Sequence, residues 1–250
     1  IVVTTRPNVD NPRQGGADTV MILSIIRTFI DHIVSAQNIT TTEQLRGKIG
    51  SVNRFGSISE MGLRLSLRRL GIDPEKDVKI VPAGGKPERL TSISRGISQF
   101  TIMSEPFVRE AERLGLRNLV SMANLKIPLH GNGVVTREAI IKSKRPMVAR
   151  FVRGITEAIH FIKHDKEATK AIIAKYTRFN DAEGLERTYR NHMGVLLDVP
   201  YADPIGIKTL LDDMAPRTPK AAAADPKSFV DASFVQEMET SGFIKQLYKR

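Results

Sequence analysis

Between Lys48 and Met122 the sequence alternates short apolar runs with segments of helical period, and this alternation constrains the fold more than any other feature. Lys48–Val52, Val78–Val81, Phe100–Met103 and Leu119–Met122 are each the length of one buried strand and too short for a helix. The segments between them carry helix punctuation. Ser57-Ile58-Ser59-Glu60 is a capping box, in which Ser57 can accept the N–H of Glu60 while Glu60 reaches back. The helix it opens runs to Leu70, and Gly71 stops it. Pro87 opens a second helix at its N1 position, with Leu90, Ile93 and Ile97 on one face. Pro106 opens a third, which Gly115 ends. Strands alternating with helices of about 10–14 residues predict βαβ units and a parallel sheet.

The C-terminal part has a different pattern. Val148, Phe151, Val152, Ile155, Ile159 and Ile162 follow helical spacing behind Pro146. Asp165, Asp181 and Asp203 each stand where an N-cap opens a further helix, and Ser233–Glu239 predicts a short last one closed by Gly242. Pro216–Pro226 is rich in Pro and Ala and reads as a loop. Gly131-Asn132-Gly133 followed by Val134-Val135-Thr136 predicts a strand crossing between the α/β part and the helical part, with Ile22–Val34 as its counterpart on the way in. Two crossings around an α/β block imply a discontinuous first lobe, residues 1–36 and 131–250, and an inserted second lobe, residues 37–130.

With 250 residues the chain is one large domain or two ordinary lobes. It has no cysteine, which excludes thiol nucleophiles, Cys-ligated zinc and iron–sulfur clusters. The longest apolar stretch, Val20–Val34, is interrupted by Arg27, Asp31 and His32, and a membrane span needs about 20 nearly uncharged residues. The chain opens Ile1-Val2-Val3 without Met or leader, which reads as a removed signal peptide or a start missing for another reason. The net charge of +11 is interleaved with acidic residues and forms no block of five like charges. A basic surface of this kind attracts anions non-specifically. With no Trp and no basic aromatic RNA-recognition motif, nucleic acid is not expected as a partner.

The chemistry-bearing motifs mostly read as structure. His160 and His164 have the i,i+4 spacing of two metal ligands, but Phe-Ile-Lys between them lacks the Glu of the metalloprotease motif. His164 sits in a last helical turn, where the dipole favours a cation, so neither a metal nor another cofactor is expected. No G-x-S-x-G or phosphate-loop motif occurs, and Gly131-x-Gly133 lacks the third glycine of a dinucleotide fingerprint. The strand-to-helix turns carry more. In a parallel sheet they gather at the carboxyl ends of the strands, where ligands bind. Here they are Asn53–Ser59, Ala83–Lys86 and Ser104–Pro106. Each offers helix N-terminal N–H groups and small residues; Ser57 and Ser59 add hydroxyls, Arg54 and Lys86 positive charge. The pattern fits an anion cradle and also fits ordinary capping.

Gln44-Leu45-Arg46-Gly47-Lys48-Ile49-Gly50, Arg54-Phe55-Gly56-Ser57, Leu70-Gly71-Ile72-Asp73-Pro74 and Gly84-Gly85-Lys86-Pro87-Glu88-Arg89-Leu90 together resemble the substrate-binding proteins of nitrate/sulfonate/taurine-type ABC importers, whose wider family includes thiamine-pyrimidine-precursor binders. Asp231-Ala232-Ser233-Phe234-Val235 and Ser241-Gly242-Phe243-Ile244 fit the same pattern. The resemblance runs in order from about residue 15 to the end.

It implies an α/β, periplasmic-binding-protein-like two-lobe fold of type II with a helical C-terminal portion, in which the first βα units of lobe one are missing. It also implies an extracytoplasmic, monomeric receptor that takes a small solute in an interlobe cleft by hinge closure and presents it to ABC permease subunits. No bond is made or broken. Family-style ligand positions map onto Arg27, Thr28, Phe29, Arg54, Phe55, Gly56, Ser57, Ser59, Gly84, Gly85, Ser104 and Glu105. The sequence departs from the pattern in Asn8–Gly16, where Pro12 would break a helix that relatives have. The pyrimidine-precursor synthases of this fold family are enzymes with a Cys-rich iron-binding motif; a chain without Cys departs from them.

Overall fold

A computed structural model describes residues 1–5, 18–129, 131–216 and 218–249. The departure expected over Asn8–Gly16 lies outside the described residues. Among the described residues the strands are β1 (Val2–Thr5), β2 (Thr19–Ile26), β3 (His32–Ser35), β4 (Ile49–Val52), β5 (Lys79–Pro82), β6 (Phe100–Met103), β7 (Arg117–Ser121) and β8 (Asn132–Arg137). The helices are α1 (Ile58–Arg69), α2 (Lys86–Ser94), α3 (Phe107–Arg113), α4 (Glu138–His164), α5 (Lys166–Thr177), α6 (Ala182–Met193), α7 (Pro204–Met214), α8 (Pro219–Ala222), α9 (Ser233–Thr240) and α10 (Phe243–Leu247). By contacts the chain divides into two compact units. The first holds Ile1–Thr28, Pro128–Arg178 and Met193–Arg250, the second Phe29–Ile127 and Phe179–His192.

The first unit is built on an antiparallel three-stranded sheet, β1-β8-β2. Both faces are covered. On one, Ile22, Leu23 and Val134 pack with Val148 and Val152 of α4 and with Phe234, Val235 and Met238 of α9. On the other, Met21 and Val135 pack with Ile207 and Leu211 of α7 and with Phe229. A strand covered on both faces needs no polar alternation, which is why β2 lies inside the long apolar run at Val20–Val34. α4 begins before the expected Pro146. Lys144 leaves helical geometry (φ −139°, ψ 35°), so Pro146 stands at the start of a second half in which Val148, Val152 and Ile159 are buried. Asp165 caps α5 through the Ala168 N–H at 3.0 Å, and Asp203 caps α7 through the Ile205 N–H at 2.9 Å. Within the expected loop at Pro216–Pro226, Pro219–Ala222 forms the short helix α8.

The second unit is a five-stranded sheet in the order β5-β4-β6-β3-β7. β4 is parallel to β5 and β6, as a βαβ pattern requires. β3 is antiparallel to both β6 and β7, so the sheet is mixed rather than parallel. The segment Ile22–Val34 is therefore split: β2 joins one sheet and β3 the other. Residues 29–36, read from the sequence with the first lobe, pack in the second unit for this reason. Residues 179–192 also belong to it. There Arg109 pairs with Asp181 at 2.7 Å, and the Asn191 amide donates to the Ile30 carbonyl at 2.9 Å. β3 and β6 are buried throughout, while the outer strands β5 and β7 are partly exposed. Gly50 of β4 is a close-approach position: a Cβ there would meet the Phe100 ring at 2.6 Å. Leu90 and Ile93 face the core, but Ile97 lies beyond the end of α2 and is 60% exposed, so it is not part of that helical face.

Candidate functional site

The carboxyl ends of β5, β4 and β6 lie side by side, so the three turns that follow them share one rim of the second unit. Hydrogen bonds tie the turns together. The Ala83 N–H donates to the Val52 carbonyl at 2.8 Å and the Gly84 N–H to the Asn53 carbonyl at 3.1 Å. Lys86 Nζ donates to Ser104 Oγ, which joins the turn after β5 to the turn after β6. Gly84, at φ +85°, supplies the left-handed residue this tight passage requires.

The first turn is organised by its own side chains. Ser57 Oγ accepts the Glu60 N–H at 3.3 Å, the cap read from the sequence. Glu60 reaches back one residue further than a capping box does, to the Gly56 N–H at 2.6 Å. Ser59 Oγ accepts the Asn53 N–H at 2.8 Å and lies 2.8 Å from Ser57 Oγ. One hydroxyl proton bridges the serine pair; the other has no acceptor among the described residues and is available to a guest. Arg54, Phe55 and Gly56 are exposed at the tip.

In the second turn Gly85 is the extended N-cap of α2, and the Gly85 and Lys86 N–H groups have no acceptor among the described residues. Burial pushes the Lys86 ammonium below its ordinary pKa, while Asp31 acts in the opposite direction and Arg89 adds to the lowering. Arg89 is buried and is held within its own unit through Nε and Nη1. Its guanidinium donates to the Ile102 carbonyl at 2.6 Å, to Thr101 Oγ1 at 3.2 Å and to the Gly85 carbonyl at 3.3 Å.

The remaining residues expected at the site are placed differently. The Glu105 side chain is 3% exposed, and its Oε1 accepts from Arg187 of α6 at 2.9 Å within the unit. Phe29 is 3% exposed, with its ring over Gly62 in the core of the second unit. Arg27 and Thr28 belong to the first unit. Arg27 donates to the Tyr201 carbonyl at 2.8 Å and lines a pocket of about 40 Å³ with Pro128, Leu129, Asp203 and Gly206. Thr28 Oγ1 is buried without a partner among the described residues. Sequence reasoning missed the Arg187–Glu105 pair, because the partners stand 82 residues apart and neither carries a local motif.

His160 and His164 stack with ring centroids 3.9 Å apart, Tyr248 edge-on to His160, and His164 Nδ1 donates to the His160 carbonyl at 2.8 Å. Stacked rings do not converge on a metal, and among the described residues no group of three His, Asp or Glu is placed to hold one. No helix among the described residues is long and apolar enough to cross a membrane.

A mixed α/β sheet with its ligand-capable turns on one rim, together with a helix-flanked antiparallel sheet, defines the periplasmic-binding-protein-like fold class. The chain belongs to the NMT1/THI5-like family, whose model matches residues 2–168. Solved structures share the fold. The alkanesulfonate-binding protein SsuA from Xanthomonas axonopodis pv. citri, bound to MOPS, is 15% identical, with 88% of this chain and 76% of that one covered at a TM-score of 0.70. The periplasmic aliphatic sulphonate binding protein SsuA from Escherichia coli is 16% identical, with 91% and 78% covered at 0.70. The desulfurization enzyme DszB is 12% identical, with 90% and 80% covered at 0.62. No curated protein sequence matches the chain.

Proposed function

We propose that the protein is the extracytoplasmic solute-binding component of an ABC importer. It captures a small anionic or zwitterionic organic solute, such as a sulfonate, nitrate or taurine-like compound, and presents it as a monomer to permease subunits. The observation that carries this reading is the rim of the second unit. There a serine hydroxyl proton, two helix N-terminal N–H groups and one half-buried ammonium are left without anionic partners. These groups bind and orient a guest, and the proposed event is capture without turnover. Hinge closure belongs to the proposal: a solute that binds the closed state better shifts the population by that differential affinity.

The fold neighbours named for sulfonate binding support this class of solute. The experiment is a thermal-shift screen of the chain against nitrate, taurine, aliphatic and aromatic sulfonates, carboxylates and pyrimidines. A ligand bound only by the native state raises the melting temperature. The expected result is stabilisation by at least one organic anion. Stabilisation by none of them, with retention on DNA at high salt, would overturn the reading.

The likeness to DszB supports a second reading, an enzyme on the same scaffold. This chain has no cysteine, which departs from the Cys-rich motif of the pyrimidine-precursor synthases. A turnover assay on any stabilising solute, with bound-metal analysis, separates the two.

A further inference from the structure

We infer that Lys86 is the residue that selects an oxyanion, holding the carboxylate or sulfonate of the solute through Nζ at the mouth of the α2 turn. This rests on the receptor reading and gives Lys86 the selecting role within it. An ammonium has three N–H donors and no acceptor. The structure gives Lys86 one neutral acceptor, Ser104 Oγ, and sets its Nζ 5.7 Å from the centroid of the Phe107 ring. No carboxylate among the described residues lies within ion-pair distance of it. Other cations of the same unit are satisfied: Arg187 by Glu105 and Glu112, Arg64 by Glu60 and Glu75, and Arg109 by Asp181 and Glu183.

Arg89, one helical turn away, is buried and donates through Nε and Nη1 to two carbonyls and a hydroxyl of its own unit, which braces β6 against α2. Glu88 and Asp31 are the acidic groups in the surroundings. Glu88 folds back over Gly85, its Oε2 2.8 Å from where a Cβ of Gly85 would stand, and acts on Arg89; Asp31 acts on both cations at longer range. Lys86 is thus a half-buried charge with two unused protons beside the free N–H groups of Gly85 and of its own backbone. A compact oxyanion offers charged acceptors to both kinds of donor at once; a neutral carbonyl or sulfonyl also accepts, but its bonds to the ammonium lack the second charge and are weaker.

The test is titration calorimetry of the full chain, K86M and K86R with two matched pairs: butane-1-sulfonate against butane-1-sulfonamide, and benzoate against benzamide. Far-ultraviolet circular dichroism and melting temperature are recorded for each variant. We expect the wild-type chain to bind a sulfonate or carboxylate at least tenfold more tightly than its neutral partner. K86M is expected to lose about 30-fold of the anion affinity, the scale of a hydrogen bond to a charged group. It keeps the affinity for the neutral partner, and K86R recovers most of the loss. A lysine that merely braced Ser104 would lower both members of a pair equally in K86M. That result overturns the inference and leaves the receptor reading standing. An undiminished anion preference in K86M, or preference for a neutral member by the wild type, does the same. Binding of neither anion overturns the inference, while the receptor reading is decided by the wider thermal-shift panel.

Discussion

At the residue scale the second unit depends on a few contacts that no substitution reproduces. Gly50 lies so close to the Phe100 ring that the Cβ of Gly50→Ala would stand 2.6 Å from it. Phe100 is fully buried, so the strain has no exit, and the substitution is expected to cost about 1–3 kcal/mol, read from the shift in urea midpoint at constant slope. Ser57→Ala removes the cap on the Glu60 N–H and the contact to Ser59. The expected loss is about 1 kcal/mol by the same measurement. Ser57 illustrates what a single sequence reveals. The cap was legible because it depends on residues three apart; the bond from Ser59 to the Asn53 N–H was not, because it depends on how the strand delivers the turn.

At the element scale α6 is the test. Arg187 reaches from α6 to Glu105 and Glu112 within the second unit, and Glu105 is almost wholly buried. Arg187→Met leaves that carboxylate without its cation, and an expected destabilisation of about 3 kcal/mol near neutral pH follows. The sign with pH is fixed by Glu112, whose carboxyl is held below its ordinary value near 4.5 chiefly by the hydrogen bond from Arg187. A depressed carboxyl contributes stability above its unfolded pKa and loses it as the pH falls through the folded one. Denaturation of the wild type and R187M between pH 7 and 3 is therefore expected to show the gap narrowing toward acid. A gap that widens would mean the pair is not the source.

The strands were read from sequence where their neighbours are local. β4, β5 and β6 follow one another through helices, and each apolar run matches a strand to within two residues. β3 was not legible as part of this sheet. His32–Ser35 continues an apolar run that starts in β2, and its partners, β6 and β7, lie about 70 and 85 residues later. The same holds for α6, whose pattern shows an amphipathic helix but not the sheet unit to which its arginine is committed.

At the scale of the whole chain, each unit draws on segments separated in sequence. Residues 29–127 alone carry all five strands of the second sheet but lack Arg187 and Asp181, the partners of Glu105 and Arg109. Expressed as a fragment, they are expected to melt at a lower temperature and less cooperatively than the same unit in the full chain. Equal melting would mean that residues 179–192 are ornamental to it. The proposed receptor role turns on whether the turns of the second unit are where a guest is held. Hydrogen exchange measured by mass spectrometry, on the full chain with and without a saturating solute from the thermal-shift panel, reads this directly. The expected result is slowed exchange in the peptides covering residues 53–60, 83–89 and 103–107. Protection that leaves those three segments unchanged while appearing elsewhere in the chain would contradict it.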